Sequence, residues 1–271
     1  MIKSLVLTAA RRTPAPIKKW VHSNRFLDRL ARKTFSSALG VVGDVVSIES
    51  GPLAGINLVV SEHVSHAHVS GSYELETTQA IDSLIVPGAI CYDLGASIGY
   101  MSLLMARKAK RVFAFEPAPH AAAEIRKHAA ANNFKNIIIV ESPVSDCERE
   151  VEFALTDVAY GSAIVESKTE WPTLKLKTIT LDEFVADHPF PDFVKMDVEG
   201  EEGRVLHGAR TILRERKTLF CCELHTVEAT HQVQDIFLEY GYRLTTLDGQ
   251  PFHFAGQIIR SHELQVLALP Q

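Results

Sequence analysis

Short continuous apolar runs alternate with longer stretches that repeat their apolar positions every three or four residues across most of this chain. The runs at 90–94, 111–115, 136–140, 193–196 and 219–224 have the length and composition of strands buried on both faces. Stretches 71–84, 100–108, 118–133, 199–214 and 227–240 carry the spacing of amphipathic helices. Strand and helix in turn predict an α/β fold with a doubly wound, mostly parallel sheet. Segments 242–247 and 264–269 are again strand-like, with Asp248-Gly249 and no helical pattern between them. They predict an antiparallel pair at the C-terminal edge of the sheet.

The flanking pieces read differently. Residues 1–40 suggest one or two basic amphipathic helices, with Trp20, Phe26, Leu27 and Leu30 on one side. Such helices can lie on a membrane surface, or pack against the body or a second copy in a homodimer. Residues 41–69 suggest a β-hairpin around Gly51-Pro52. We therefore expect an N-terminal helical and hairpin appendage over 1–70 and the main domain over 71–271. Patches at 151–155, 162–166 and 174–180 suggest added strands over the sheet, and Thr180 to Phe184 the capped start of a short helix. His63, His66 and His68 are close together, but only Glu62 accompanies them, which argues against a metal there.

The turn after the first strand of the sheet is the most informative stretch. Asp93-Leu94-Gly95 leads through Ala96, Ser97 and Ile98 to Gly99 and a helix, and the second strand ends on Glu116. Strand, glycine turn, helix, strand and acid make half of a nucleotide-binding sheet. Glycines admit a ligand close to the backbone, and Glu116 can accept hydrogen bonds from both hydroxyls of a ribose. The third glycine of a dinucleotide fingerprint is absent. Asp93, two residues before Gly95, would repel a pyrophosphate and attract an ammonium or sulfonium, so S-adenosylmethionine fits better than a nicotinamide dinucleotide. An NAD-binding protein, or a strand-to-helix turn with no ligand and no catalysis, is the competing reading.

Ligands in such sheets sit beyond the carboxyl ends of the strands. The polar residues there are Asp93, Glu116, Glu141, Ser142, Asp197, Glu223 and His225. Ser142 is placed to meet an adenine edge, and Asp197 lies where the reacting group belongs. Glu199, Glu201 and Glu202 crowd a helix start, which favours acids. Gly200 is costly there unless a ligand or neighbouring strand comes close. Methyl transfer to a hydroxyl needs one base, since a sulfide leaves neutral. His225 is the candidate, with Asp197 orienting the acceptor. Asp197, Glu199, Glu223 and His225 could instead hold magnesium or manganese, a metal-assisted alternative.

Composition narrows the setting. The chain has 271 residues, 46% hydrophobic and 23% charged, with a net charge of −5. Residues 1–40 are basic, so the remainder is acidic, which gives no support for nucleic-acid binding. No apolar run reaches membrane-spanning length, and Arg11-Arg12 stands where a signal-peptide cleavage site would be expected. Cys91, Cys147, Cys221 and Cys222 show no C-x-x-C spacing, consistent with a reducing cytoplasm.

These motifs together resemble the FkbM-type S-adenosylmethionine-dependent methyltransferase family. The matching segments are Gly71-Ser72-Tyr73-Glu74, Tyr92 to Tyr100, Ala114-Phe115-Glu116-Pro117, Thr180-Leu181-Asp182, Lys195 to Glu202 and Cys222-Glu223-Leu224-His225. The resemblance implies a class I methyltransferase (Rossmann-like) fold and O-methylation of a hydroxyl on a small molecule or sugar. It implies cofactor contacts from Glu74, Asp93, Gly95, Ala96, Ser97, Gly99, Tyr100, Glu116, Pro117, Ser142 and Asp197, with Asp197, Glu199 and His225 catalytic. One departure stands out. The family usually carries Asn where this chain has Ser97, which shortens one hydrogen-bonding side chain.

Overall fold

A computed structural model describes residues 40–156, 162–165, 169–255 and 264–271. The helices expected within 1–40 fall on residues 1–39, outside the described residues. Strands β1 (Val45–Ser47) and β2 (Asn57–Val59) form the antiparallel hairpin, followed by α1 (His66–Ser70) and α2 (Leu75–Leu84). The first half of the main sheet comes next: β3 (Ile90–Leu94), α3 (Tyr100–Ala106), β4 (Arg111–Phe115), α4 (Pro119–Ala131) and β5 (Ile137–Val140). Strands β6 (Glu150–Ala154), β7 (Ala163–Val165) and β8 (Thr173–Lys177) then make a separate three-stranded antiparallel sheet. The second half is α5 (Leu181–Asp187), β9 (Phe193–Met196), α6 (Glu202–His207), α7 (Arg210–Glu215), β10 (Leu219–Leu224), α8 (Val227–Glu239), β11 (Tyr242–Thr245) and β12 (Leu264–Pro270).

The main sheet has seven strands in the order β11-β12-β10-β9-β3-β4-β5. Strands β5, β4, β3, β9 and β10 pair in parallel, and β12 is antiparallel to both neighbours. This is the mostly parallel, doubly wound sheet of the class I methyltransferase fold. The C-terminal pair is antiparallel as expected, but β12 inserts beside β10, leaving β11 as the edge.

Alternation along the strands divides the core. Tyr92, Leu94, Phe113, Phe115, Val194 and Met196 face one layer, with Leu181, Leu206, Ile212 and Phe237 from α5 to α8. Cys91, Val112 and Phe193 face the other, with Ile81, Leu103 and Leu104 from α2 and α3 and Ile48 and Leu58 from the hairpin. Each fully buried aromatic or aliphatic side chain contributes roughly 1.5–3 kcal/mol. Among the described residues no helix is long and apolar enough to cross a membrane.

Three details differ from the sequence pattern. Residues 66–70, at the end of the stretch expected as a hairpin, form α1. Gly71 ends it in a left-handed conformation, so the helix expected over 71–84 begins at Leu75. The helix expected over 199–214 is two short ones. Gly208 separates them where the chain runs so close to the Ser145 carbonyl that a Cβ would collide with it. Asp182 accepts from the N–H groups of Arg210 and Thr211 and so starts α7 afresh. Gly200 lies before α6, not inside it, and a Cβ there would meet nothing closer than 3.9 Å. Its φ of 105° is the reason for glycine.

Gly95 is needed on both grounds. Its φ is 74°, and a Cβ would collide with the Asp197 carbonyl oxygen. Gly95→Ala is therefore expected to destabilise the chain by about 3 kcal/mol, lowering Tm by roughly 6–12 °C in calorimetry. An unchanged Tm would show that the β3 and β9 ends are not packed this way.

Candidate active site

The carboxyl ends of β3, β4, β5 and β9 surround a cleft that opens to solvent. The turn after β3 contributes Gly95 and Ser97, the end of β4 Phe115, Glu116 and Pro117, and the segment after β5 Ser142, Pro143 and Val144. Asp197, Val198 and Glu199 close it from β9, while Phe153 and Ile164 of β6 and β7 form an apolar wall. That wall comes from the added strands expected at 151–155 and 162–166.

Glu116 is the best-anchored acid in the cleft. One carboxylate oxygen accepts from the Ser97 N–H at 2.7 Å and the other from the Ala118 N–H at 2.8 Å. Each oxygen keeps a second lone pair for a ligand. Burial pushes the carboxyl up to about 7, against the pull of those two donors.

The turn itself is left-handed at three places, with φ of 74° at Gly95, 52° at Ser97 and 85° at Gly99. A serine is unfavourable there, and asparagine adopts this region more readily. The family's usual Asn at this position thus suits the backbone as well as a ligand. Among the described residues, the left-handed non-glycines are Glu74, Ser97, Asn133, Glu199 and Arg216. Three of these five are expected site residues.

Beside the cleft lies a cluster of carboxylates around one imidazole. His225 Nδ1 is 2.6 Å from Glu202 Oε1, and Nε2 is 3.3 Å from Asp197, 3.7 Å from Glu199 and 3.8 Å from Glu223. Burial opposes the ring's charge, but hydrogen bonds to Asp197 and Glu202 outweigh it and push His225 up to about 10. The imidazole is thus a cation at neutral pH, not the free base expected from the sequence. Burial, together with the charges of Asp197 and Glu74, pushes Glu223 above the usual carboxylate range. Asp197 is held low, because Lys195 and His225 outweigh its burial.

Lys195, overlooked as a site residue, connects both halves. Its amine donates to Asp197 Oδ2 at 3.0 Å and to the Gly95 carbonyl at 3.2 Å, and lies 3.8 Å from Asp93. A lysine inside an apolar strand was the available signal. Gln265 was also missed: it donates to Glu223 at 3.1 Å and to Glu74 at 3.4 Å. Nothing in the local sequence of β12 points to that.

The expected cofactor residues separate into two groups. Gly95, Ser97, Glu116, Pro117, Ser142 and Asp197 line the cleft. Asp93 is fully enclosed and accepts from Ser102 Oγ at 2.5 Å. Ala96 packs with Ala114 and Ile125, Gly99 lies against Ile125, and Tyr100 sits edge-on to His68 and Tyr73. Glu74 lies in the carboxylate group beyond Lys195. Two of the clustered histidines are committed elsewhere: His63 to Glu124 at 2.7 Å and His68 to the capping box of α1 with Ser65.

Comparison with known proteins finds one family and several methyltransferases similar to this chain. A family model described as the methyltransferase FkbM domain matches residues 93–244. The hexuronic acid methyltransferase AglP of Haloferax volcanii is 30% identical over 127 residues, covering 46% of this chain and 52% of that relative. The chain thus spans about half the length of the curated relative it matches. Among solved structures, methyltransferase FkbM from Methylobacillus flagellatus gives a TM-score of 0.48 at 18% identity, over 68% of this chain and 44% of the other. A putative methyltransferase from Streptococcus mutans in complex with SAH gives 0.44 at 11% identity, over 72% and 96%.

The charged ring of His225 makes a testable contribution to stability. Its folded value, about 10, exceeds the ordinary 6.5, so the stabilisation is full below the ordinary value and disappears as pH rises through the folded one. His225→Gln should therefore melt well below the wild-type chain at about pH 6, and the gap should close towards about pH 10. A gap that stays constant or widens with pH in thermal melts would show that the ring is not held as a cation.

Proposed function

The chain belongs to the methyltransferase FkbM domain family, and on that premise we propose that it is an S-adenosylmethionine-dependent O-methyltransferase acting on a hydroxyl of a carbohydrate or similar small molecule. One observation carries this reading: Asp197 and Glu199 belong both to the cleft and to the carboxylate–histidine cluster. A ligand in the cleft would thus present its reacting end to groups able to orient an acceptor and take its proton. The hexuronic acid methyltransferase relative supports a sugar as acceptor.

The cleft suits the cofactor on its own chemistry. Glu116 offers two anchored oxygens to a ribose, and Phe115, Pro143 and Ile164 offer apolar surface to a base whose edge Ser142 can meet. A buried acid poised at about 7 is stabilised as a carboxylate once hydroxyl donors reach it. When bound, the cofactor supplies an electrophilic methyl group. Everything else falls to side chains of this chain.

A hydroxyl acceptor must give up its proton as it reacts. His225 already carries one, so the base we assign is Glu223, whose raised affinity for protons matches it to the task. Asp197, kept ionised by Lys195 and His225, orients the acceptor, and Glu202 fixes the imidazole from behind at 2.6 Å. Activity should accordingly rise with pH as Glu223 ionises. Glu223→Gln should lower kcat by about 100-fold or more, with little change in cofactor affinity. Equal loss of both would remove Glu223 from this role.

A second reading has an observation in its favour. Ligand atoms of Asp197, Glu223 and His225 all lie within 4.8 Å of one another, an oxygen-rich set suited to magnesium or manganese. Chelator treatment separates the two: activity lost and restored by either ion supports the metal-assisted route, and unaffected activity removes it. Calorimetry with S-adenosylmethionine, S-adenosylhomocysteine and NAD tests the premise of both. Binding of the first two alone is expected, and binding of NAD alone would overturn the assignment.

A further inference from the structure

Helix α4 carries Glu124 and His128, and Asn132 follows at its C-terminal end, all at four-residue intervals, a spacing that puts the three on one face. Glu124 and Asn132 hold β2 and its exit, and His128 lies between them. Glu124 accepts from Ser61 Oγ at 2.9 Å and pairs with His63 at 2.7 Å. His128 Nε2 lies 3.2 Å from the Val59 carbonyl oxygen. Asn132 accepts from the Asn57 N–H at 2.8 Å and donates to the Asn57 carbonyl at 2.7 Å.

His128 also reaches in a second direction. Its Nδ1 lies 2.9 Å from the carbonyl oxygen of Ile98, inside the glycine turn, and the ring is wholly buried. Ile98 follows the left-handed Ser97, whose N–H is held by Glu116 on the cleft side. The unfavourable stretch of the turn is thereby gripped from both sides. Without the histidine, the Ile98 carbonyl would lose its partner, and the turn would be free to relax away from the shape that lines the cleft.

We infer that His128 is a positioning residue for cofactor binding. Helix α4, tied to the N-terminal hairpin by Glu124 and Asn132, presents the ring to the Ile98 carbonyl, so that order in the hairpin and order in the glycine turn support each other. This rests on the cofactor reading above. The hairpin lies outside the family-matched segment 93–244, yet it becomes part of the cofactor site through α4, which Glu124 and Asn132 bind to the hairpin and His128 binds to the turn. Coupling of this kind is reciprocal, so a ligand that orders the turn must also order the hairpin.

The test uses S-adenosylhomocysteine binding by calorimetry, with hydrogen exchange at residues 57–60 as a second readout. Asparagine places a donor where Nδ1 stands and glutamine where Nε2 stands. His128→Asn should bind within about threefold of the wild-type chain, while His128→Gln, lacking the Ile98 bond, should bind about tenfold more weakly. Ligand should slow exchange in the hairpin of the wild-type chain and of His128→Asn, but not of His128→Gln. Should His128→Gln fail to fold, Asn132→Ala carries the test. It loosens the hairpin without touching the turn, and should weaken binding by about threefold. Undiminished affinity in the variant used, or hairpin exchange indifferent to ligand, overturns the coupling and leaves the cofactor reading intact. A wild-type chain that binds no S-adenosylhomocysteine overturns both.

Discussion

A buried lysine between two aspartates holds the centre of this molecule together. Asp93 and Lys195 face each other across β3 and β9, with 0% and 6% of their surface exposed. Burial raises the affinity of Asp93 for a proton, and the Lys195 amine opposes it. An apolar residue in place of Lys195 would leave the acid to be buried charged, at a cost of several kcal/mol, or to take up a proton. Burial disfavours the lysine's charge, yet Asp197, Asp93 and Glu74 hold it firmly protonated. The same amine donates to the Gly95 carbonyl and to Asp197. One cation therefore fixes the glycine turn, the end of β9 and the spacing between them.

That fixed spacing permits strain elsewhere. Glu74, Ser97 and Glu199 all sit in left-handed backbone, which costs a non-glycine residue on the order of 1 kcal/mol or more. Each is over-determined by its surroundings. Ser97 is held by Glu116, and its neighbour Ile98 by His128. Glu199 Oε2 lies 3.7 Å from His225 Nε2. Glu74 follows Tyr73, whose ring is tilted against that of His68 at 4.1 Å between centres, and accepts from Gln265 at 3.4 Å. Preorganisation of this kind matters most where catalysis consists mainly of holding reactants in line, since orientation alone can supply roughly 7–11 kcal/mol.

Charge balance explains how the acids beside the cleft divide the work. Glu202 is wholly buried and hydrogen-bonded to His225 and to the Gly200 N–H, so it serves the imidazole and not solvent. Asp197 has two cations near it and stays ionised. Glu223 has mainly other carboxylates for company and takes up protons instead. Chemically identical side chains thus acquire different roles from their neighbours.

The sequence alone determined the order of the main-sheet strands, the glycine turn and the acids at the strand ends, because each depends on residues adjacent in the chain. Periodicity located β9 and β10 to the residue, and Glu116 followed from its place at the end of β4. Tertiary structure decided the rest. Asp93 looked like a cofactor contact, but β9 places Lys195 opposite it and encloses it. His225 looked like a base, but four carboxylates from three segments converge on its ring and keep it charged. Gln265 entered the site only because β12 pairs beside β10. Protonation state and burial depend on the sum of neighbours in space, and residues far apart in the chain supply most of that sum.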